Sequence, residues 1–413
     1  MKCTFFTRMA IPFIGIAFGF FISCSTLSSN QRPESGDTLT AEDLKNQLGD
    51  IEQRISGNPE NPEAYYQKGS VLGKLAQRQE VPGDRTSYYR QMQAALSEAT
   101  QRYERGGKVQ RTETIDELLQ VNWSYEHNQG VEILQNDSTT NAEDFSRAAA
   151  HFNNAIIIIP DSAVSYKMKA RALYQNGDTE MAIKTLEAAR SQIEDLPGSY
   201  IEQLAYLYLE QDRPQEAITI YEETQPFSEE NLNLLHGLAN AYITADWHRR
   251  AIQLLGRLVK NEPGNPVYLE SYGTELYRLG VRHYDSLSSE SSMDSLEMAK
   301  TRAGADTLFA MAKNQFRTLV EGNPQQLEYK QQLADMHKNH AVKLNQVKSL
   351  FPEPVQREMQ NQLETSLTDA ATLYEDLTEQ RPDRTVYWEN LYQVYSSLGM
   401  QERANEVKAK ANL

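Results

Sequence analysis

From residue 41 onward, apolar residues recur at intervals of three and four and do not alternate singly with polar ones. Residues three and four apart share one face of an α-helix. The pattern therefore predicts helices joined by short turns, with no convincing strand. Thr40-Ala41-Glu42-Asp43 marks the first start, a threonine N-cap followed by acids in the first turn.

The pattern also repeats itself. An alanine is followed four residues later by an aromatic or aliphatic residue and three after that by a small or aliphatic one. A proline often comes five further on. Ala148, Phe152, Ala155 and Pro160 give the series once; Ala182, Leu186 and Ala189 follow, then Ala217 and Tyr221. Ala251, Leu255, Leu258 and Pro263 repeat it in full, as do Ala312, Phe316, Leu319 and Pro324, and Ala370, Tyr374, Leu377 and Pro382; Ala404 and Ala411 close it. The successive alanines lie 34, 35, 34, 61, 58 and 34 residues apart. A second pattern precedes each alanine. It appears as Ile201, Leu204, Ala205 and Tyr208, as Leu235, Leu238, Ala239 and Tyr242, and as Leu269, Tyr272, Gly273 and Leu276. Tyr166, Ala170 and Leu173, Tyr65, Gly69 and Leu72, and Trp388, Leu391 and Tyr395 are less complete copies. A small residue lets two helices approach beside a bulky neighbour, and the proline ends the second helix of each pair.

These residues resemble the tetratricopeptide repeat family, whose pattern is W-x2-L-G-x2-Y, then A-x3-F, then P. The resemblance spans roughly residues 40–413, strongly over 148–280 and 305–413 and weakly over 75–145. It departs at Tyr392, where a small residue is expected, and at Lys408, where an aromatic is expected. Terminal repeats are commonly atypical in this way. Ala95 and Ala99 fit the second helix of a first unit, whereas the helix over 112–136 has no place in the motif. The resemblance implies an all-α fold, an α-α superhelix of stacked helix pairs. The two long steps place extra residues inside units, over 281–304 and around Phe351-Pro352-Glu353-Pro354. The second insertion is expected to form a long helical hairpin standing proud of the superhelix.

The start of the chain reads differently. Lys2 and Arg8 precede an apolar run from Met9 to Ile22, which is too short for a spanning helix of about 20 residues. It fits a secretory signal. Phe21-Ile22-Ser23-Cys24 resembles a bacterial lipobox, with Phe21 in place of the usual leucine and Ile22 bulky for its position. On that reading residues 1–23 are removed and Cys24 carries a lipid. An uncleaved anchor and cleavage without lipidation are the other readings. Ser25 to Thr40, rich in Ser, Thr, Asn and Gln, reads as a flexible tether. The chain then divides into a leader (1–23), a tether (24–40), a divergent helical region (41–145), regular repeats (146–280) and repeats with long insertions (281–413).

Composition narrows the function. Hydrophobic residues make up 39% of the chain, enough for a thin core of stacked helix pairs. The only cysteines are Cys3 and Cys24, which leaves the repeats without a disulfide or a cysteine-based zinc site. The formal net charge of −16 disfavours nucleic acid and anionic headgroups as partners. Membrane contact is expected through the lipid alone.

Chemistry is sparse. His337 and His340 lie three apart on one helix face, a spacing that can suit a metal, but no third ligand is evident and His337 occupies a packing position. His127, His151, His236, His248 and His283 are scattered and read as surface or groove histidines. No phosphate-cradling Gly-rich loop, nucleophile elbow or HExxH motif appears. No cofactor or metal is expected. A carboxylate-pair hydrolase on an (α/α) scaffold is the alternative from a different class.

The leading expectation is a non-enzymatic scaffold that binds proteins or peptides, lipid-anchored in the cell envelope, on the outer membrane facing the periplasm. In the resembled family the first helix of each pair lines the concave side. The residues just after its packing positions are Lys167, Arg171 and Tyr174, then Glu202, Tyr206 and Leu209, then His236, Asn240 and Ile243, then Glu270, Thr274 and Tyr277. This mixed set is expected to take an apolar or basic peptide or helix, with Tyr206 and Tyr277 as aromatic anchors.

Overall fold

The computed structural model describes residues 39–107, 110–135, 141–223, 231–289 and 293–411. Within them it forms seventeen α-helices, one short 3-10 turn and no strand. The all-α reading is therefore the observed fold. Cys24 and the lipobox lie outside the described residues. No helix among those residues is long and apolar enough to cross a membrane. The chain divides into two compact units between Asp212 and Arg213, inside the stretch of regular repeats.

The first unit carries eight helices: α1 Ala41–Gly57, α2 Pro62–Gln77, α3 Pro82–Arg105, α4 Gln110–Gln135, α5 Ala142–Ile158, α6 Ala163–Gln175, α7 Thr179–Gln192 and α8 Gly198–Glu210. Helix α1 starts where the sequence places it. Thr40 Oγ1 accepts from the Asp43 amide at 3.1 Å, and the Thr40 amide donates back to the Asp43 carboxylate at 2.8 Å. Asn141 and Asp144 make the same reciprocal cap on α5. Helices α2 and α3, α4 and α5, and α6 and α7 pack as successive pairs.

The helix with no place in the motif, α4, is the first member of its pair. Gly130 supplies the small position, because a Cβ there would lie 2.7 Å from the Phe152 ring. A single carboxylate fixes the packing around α4. Glu126 is fully buried and accepts from Arg85 at 3.0 Å, Tyr89 at 2.9 Å and Asn154 at 3.3 Å, with His151 Nδ1 at 2.7 Å. These donors come from α3 and α5, so one buried anion ties three helices together. A buried charge is tolerated only with such full compensation.

The second unit contains α9 Pro214–Glu223, α10 Leu232–Thr244, α11 His248–Asn261, α12 Pro266–Ser289, α13 Ser295–Gly322, α14 Leu327–Val347, a 3-10 turn Lys348–Leu350, α15 Glu353–Gln380, α16 Thr385–Ser397 and α17 Gln401–Ala411. The two insertions lengthen α12 and α13 and, in the next pair, α14 and α15. The α14/α15 hairpin does not stand proud. It lies along the α12/α13 hairpin, and Tyr284, Phe309, Val347, Phe351 and Met359 share one core. Arg302 pairs with Glu358 at 3.3 Å, Lys343 pairs with Asp285, and the His340 ring stacks on Phe309 at 4.4 Å between centroids. The physical reason is that neighbouring units carry insertions of similar length. Each extension supplies the apolar face that the other needs to bury.

Candidate functional site

The candidate residues fall into two groups, one in each unit. In the first unit, α6 and α8 turn Tyr166, Ala170, Ile201, Leu204, Ala205 and Tyr208 inward, where all are buried. The positions that follow them, Lys167, Arg171 and Tyr174 on α6 and Glu202, Tyr206 and Leu209 on α8, are all half-buried. The two helices are stitched along this face. Lys167 Nζ donates to Ser199 Oγ at 3.3 Å. Tyr174 and Tyr206 meet edge to face at 6.0 Å, with their hydroxyls 3.1 Å apart.

The face is partly desolvated. Burial lowers the affinity of Lys167 for its proton, and the nearby Glu202 carboxylate opposes that shift. Burial pushes the Glu202 carboxyl upward, and Lys167 opposes it. The Tyr206 hydroxyl is pushed up by burial first, then by its bond to Tyr174 and by Glu210. Such a face holds polar groups at reduced hydration beside two aromatic rings, and a partner displaces little tightly held water to reach them.

In the second unit the corresponding positions are mostly covered. Asn240 is 2% exposed, Thr274 3% and Ile243 4%, and Tyr277 is 7% exposed. Tyr277 lies edge-on to Phe309 at 5.3 Å and accepts from Asn339 Nδ2 at 3.1 Å. Glu270 is half-buried and accepts from Gln332 Nε2 at 3.1 Å. Both donors come from α14, which lies beside α12. His236 is half-buried and edge-on to Tyr268 at 5.6 Å, and burial lowers its pKa. Tyr277 is thus a packing residue between α12 and α14 rather than an accessible anchor. Local pattern does not reveal this, because Gln332 and Asn339 are each 62 residues from their partners.

The histidines differ from expectation. His127, His151 and His248 are buried rather than on a surface or groove. His151 serves Glu126, and His248 Nδ1 lies 2.5 Å from the buried carboxylate of Glu275, which also accepts from Arg278 at 2.7 Å. His337 and His340 are buried as well. His340 Nδ1 lies 3.1 Å from Ser366 Oγ, and its Nε2 lies 3.7 Å from Asp306. His337 Nδ1 lies 3.4 Å from Asp369. Among the described residues no group of three or more His, Cys, Asp or Glu is placed to hold a metal ion. The buried carboxylates Glu126 and Glu275 and the half-buried Asp306 are each matched to cationic or hydroxyl partners, not to a second carboxylate.

No family model matches the chain, and no curated protein matches it. Among solved structures it is similar to MamA protein at 14% identity, over 49% of this chain and 94% of that one, with a TM-score of 0.35. It is similar to YrrB, described as a TPR protein with an unusual peptide-binding site, at 10% identity over 68% and 95% of the two chains, with a TM-score of 0.32. A human IFIT1 dimer with m7Gppp-AAAA aligns at 13% identity over 88% and 94%, with a TM-score of 0.30. The repeat architecture rests on the helix pairs themselves and on the small-residue contacts that join them.

Proposed function

We propose that this protein is a non-enzymatic scaffold, and that it captures a protein or peptide segment on the first-helix face of α6 and α8. The observation that carries the reading is the half-buried stripe holding Tyr174 and Tyr206 in contact, flanked by Lys167, Arg171, Glu202 and Leu209. Aromatic anchors ringed by adaptable polar groups are the usual composition of a recognition hot spot. The rings and Leu209 suit an apolar side chain, and the Glu202 and Glu210 carboxylates suit a basic one. The partner is accordingly an apolar or basic peptide or helix.

The same proposal includes the N-terminal chemistry. Residues 1–23 act as a lipoprotein signal, Cys24 is acylated, and the repeats face the periplasm from the outer membrane. This rests on the lipobox-like Phe21-Ile22-Ser23-Cys24 and on the tether that follows it. No cofactor, metal or nucleic acid enters the proposed function.

The test is binding of a panel of synthetic peptides, apolar-basic and apolar-acidic, to the purified repeats. Replacing Tyr174 and Tyr206 together with alanine should weaken the apolar-basic peptides by about tenfold or more. The helical circular dichroism signal should be retained. Unchanged affinity in that double variant would remove the face from consideration. A hydrolysed peptide or glycan product would favour the carboxylate-pair enzyme instead.

A further inference from the structure

The second unit contains a cationic corner that stands out in a chain of net charge −16. Helix α11 carries Arg249, Arg250, Arg257 and Lys260 and no acidic residue between His248 and Asn261. It is 14 residues long and lies antiparallel on the 24-residue α12. Gly256 faces Tyr272, and Arg249 lies close enough to His283 to lower its pKa, after burial as the first cause. Helix α12 therefore runs on past the start of α11, and α13 returns beside it. The result is a step, with the first turn of α11 as its wall and the overhanging hairpin as its floor.

Cations gather at this step. Arg249 and Arg282 are exposed. Arg282 lies one turn beyond Arg278 on the stripe that meets His248. The side-chain Nδ1 of His283 is buried and has no hydrogen-bond partner among the described residues. Three nearby acids are already committed. Glu275 holds His248 and Arg278, Glu222 accepts from Tyr242 at 2.7 Å and from Arg250 at 2.9 Å, and Asp285 pairs with Lys343. Asp246 lies exposed in the left-handed turn just before α11, at φ 58°.

We infer that this step is a second docking surface, and that its occupant is an acidic polypeptide segment, a run of Asp and Glu in a partner protein. Charge complementarity is the argument. Exposed arginines such as Arg249 and Arg282 attract carboxylates and hold them bidentately. The chain's net negative charge disfavours an anionic partner over much of its surface, so approach favours a local cluster of arginines. The pairing also complements the α6/α8 face, whose carboxylates suit the opposite charge. A scaffold with two surfaces of opposite preference can hold two different partners.

The test uses the full chain and a fluorescent peptide of alternating Glu and Ala, with anisotropy as the readout. Binding is expected at low salt and should fall steeply as ionic strength rises from about 0.05 M to about 0.5 M. Arg249→Glu with Arg282→Glu should weaken it by about tenfold or more. Arg249→Lys with Arg282→Lys should largely retain it. Tyr174→Ala with Tyr206→Ala should leave it unchanged, which separates this surface from the α6/α8 face. Absence of low-salt binding would overturn the inference, as would binding that survives the charge reversal in a variant with unaltered helical signal. Capture of phosphatidylglycerol vesicles in preference to the peptide would also overturn it and assign the corner to lipid.

Discussion

Asn339 on α14 donates its side-chain amide to the Tyr277 hydroxyl of α12 at 3.1 Å. This bond decides how a first-helix position in the second unit is used. Tyr277 occupies the register that would present it to a partner, yet α14 covers it and Phe309 packs against its edge. With Gln332 on Glu270 and Lys343 paired to Asp285, it forms a polar seam along two neighbouring first helices.

Tyr277→Phe removes one hydrogen bond from this seam and leaves the ring. It should cost about 1 kcal/mol of stability, whereas Tyr277→Ala should cost about 3 kcal/mol or more by opening a cavity. Neither should alter peptide binding at α6/α8. Urea denaturation alongside peptide titration separates the two effects, and loss of binding with unchanged stability would return Tyr277 to the recognition surface.

Close approach at small positions gives predictions of opposite sign. A Cβ on Gly237 would lie 2.1 Å from the Tyr221 hydroxyl, and one on Gly273 would lie 2.7 Å from the Phe316 ring. Gly237→Ala and Gly273→Ala should destabilise the second unit by about 1–3 kcal/mol. At Gly256 the nearest atom is the Tyr272 hydroxyl at 3.4 Å, the far end of a flexible side chain. Gly256→Ala should be neutral or stabilise by up to about 1 kcal/mol through helix propensity. Thermal melts of the three variants check the order.

Two buried histidines predict a pH dependence. Burial pushes His127 down to about 4, and burial followed by the Lys313 charge pushes His337 down to about 3. An imidazole in the unfolded chain takes up a proton near its ordinary 6.5, while the native one stays neutral. The unfolded state then binds more protons, so stability falls as pH drops from about 6.5 toward 4. His127→Phe should flatten that slope, read as the melting temperature across the interval. Glu126 acts lower down. Burial alone would raise its carboxyl, but the bonds from His151 and Arg85 hold it below the ordinary value. Its contribution is present above the ordinary carboxylate range and is lost as pH falls through the depressed native value.

At the N-terminus, Cys24→Ala should abolish incorporation of labelled fatty acid and release the protein from the membrane fraction or leave it unprocessed. Mass spectrometry that finds residues 1–23 intact on the mature wild-type protein would contradict the lipid anchor.

Much of the fold was legible in the sequence because its repeat unit is short and each unit needs the same small residue. Ala148, Ala182, Ala217, Ala251, Ala312, Ala370 and Ala404 are all completely buried, as their spacing implies. Helix α4 was illegible for a physical reason. Gly130 precedes Ala148 by 18 residues, where Ala170 precedes Ala182 by 12, so the pair keeps the contact but breaks the period. The sharing of one core by the two insertions was also hidden, since Phe351 and Tyr284 meet only after both hairpins form. At the candidate site, the six α6/α8 residues picked out by register share a half-buried face. Register could not tell which first helices would be covered by a neighbour, because that depends on long-range polar contacts such as Asn339 with Tyr277.

On the proposed function, partners meet the α6/α8 face. Photo-activatable crosslinkers placed singly at Arg171, Leu209 and Lys184 of the full-length protein in living cells test it most directly. Arg171 and Leu209 lie on that face, and Lys184 is exposed on α7. Discrete protein adducts are expected from positions 171 and 209, identified as the same partner by mass spectrometry, and none from 184. No adduct at 171 and 209, or equal adducts at all three, would contradict it.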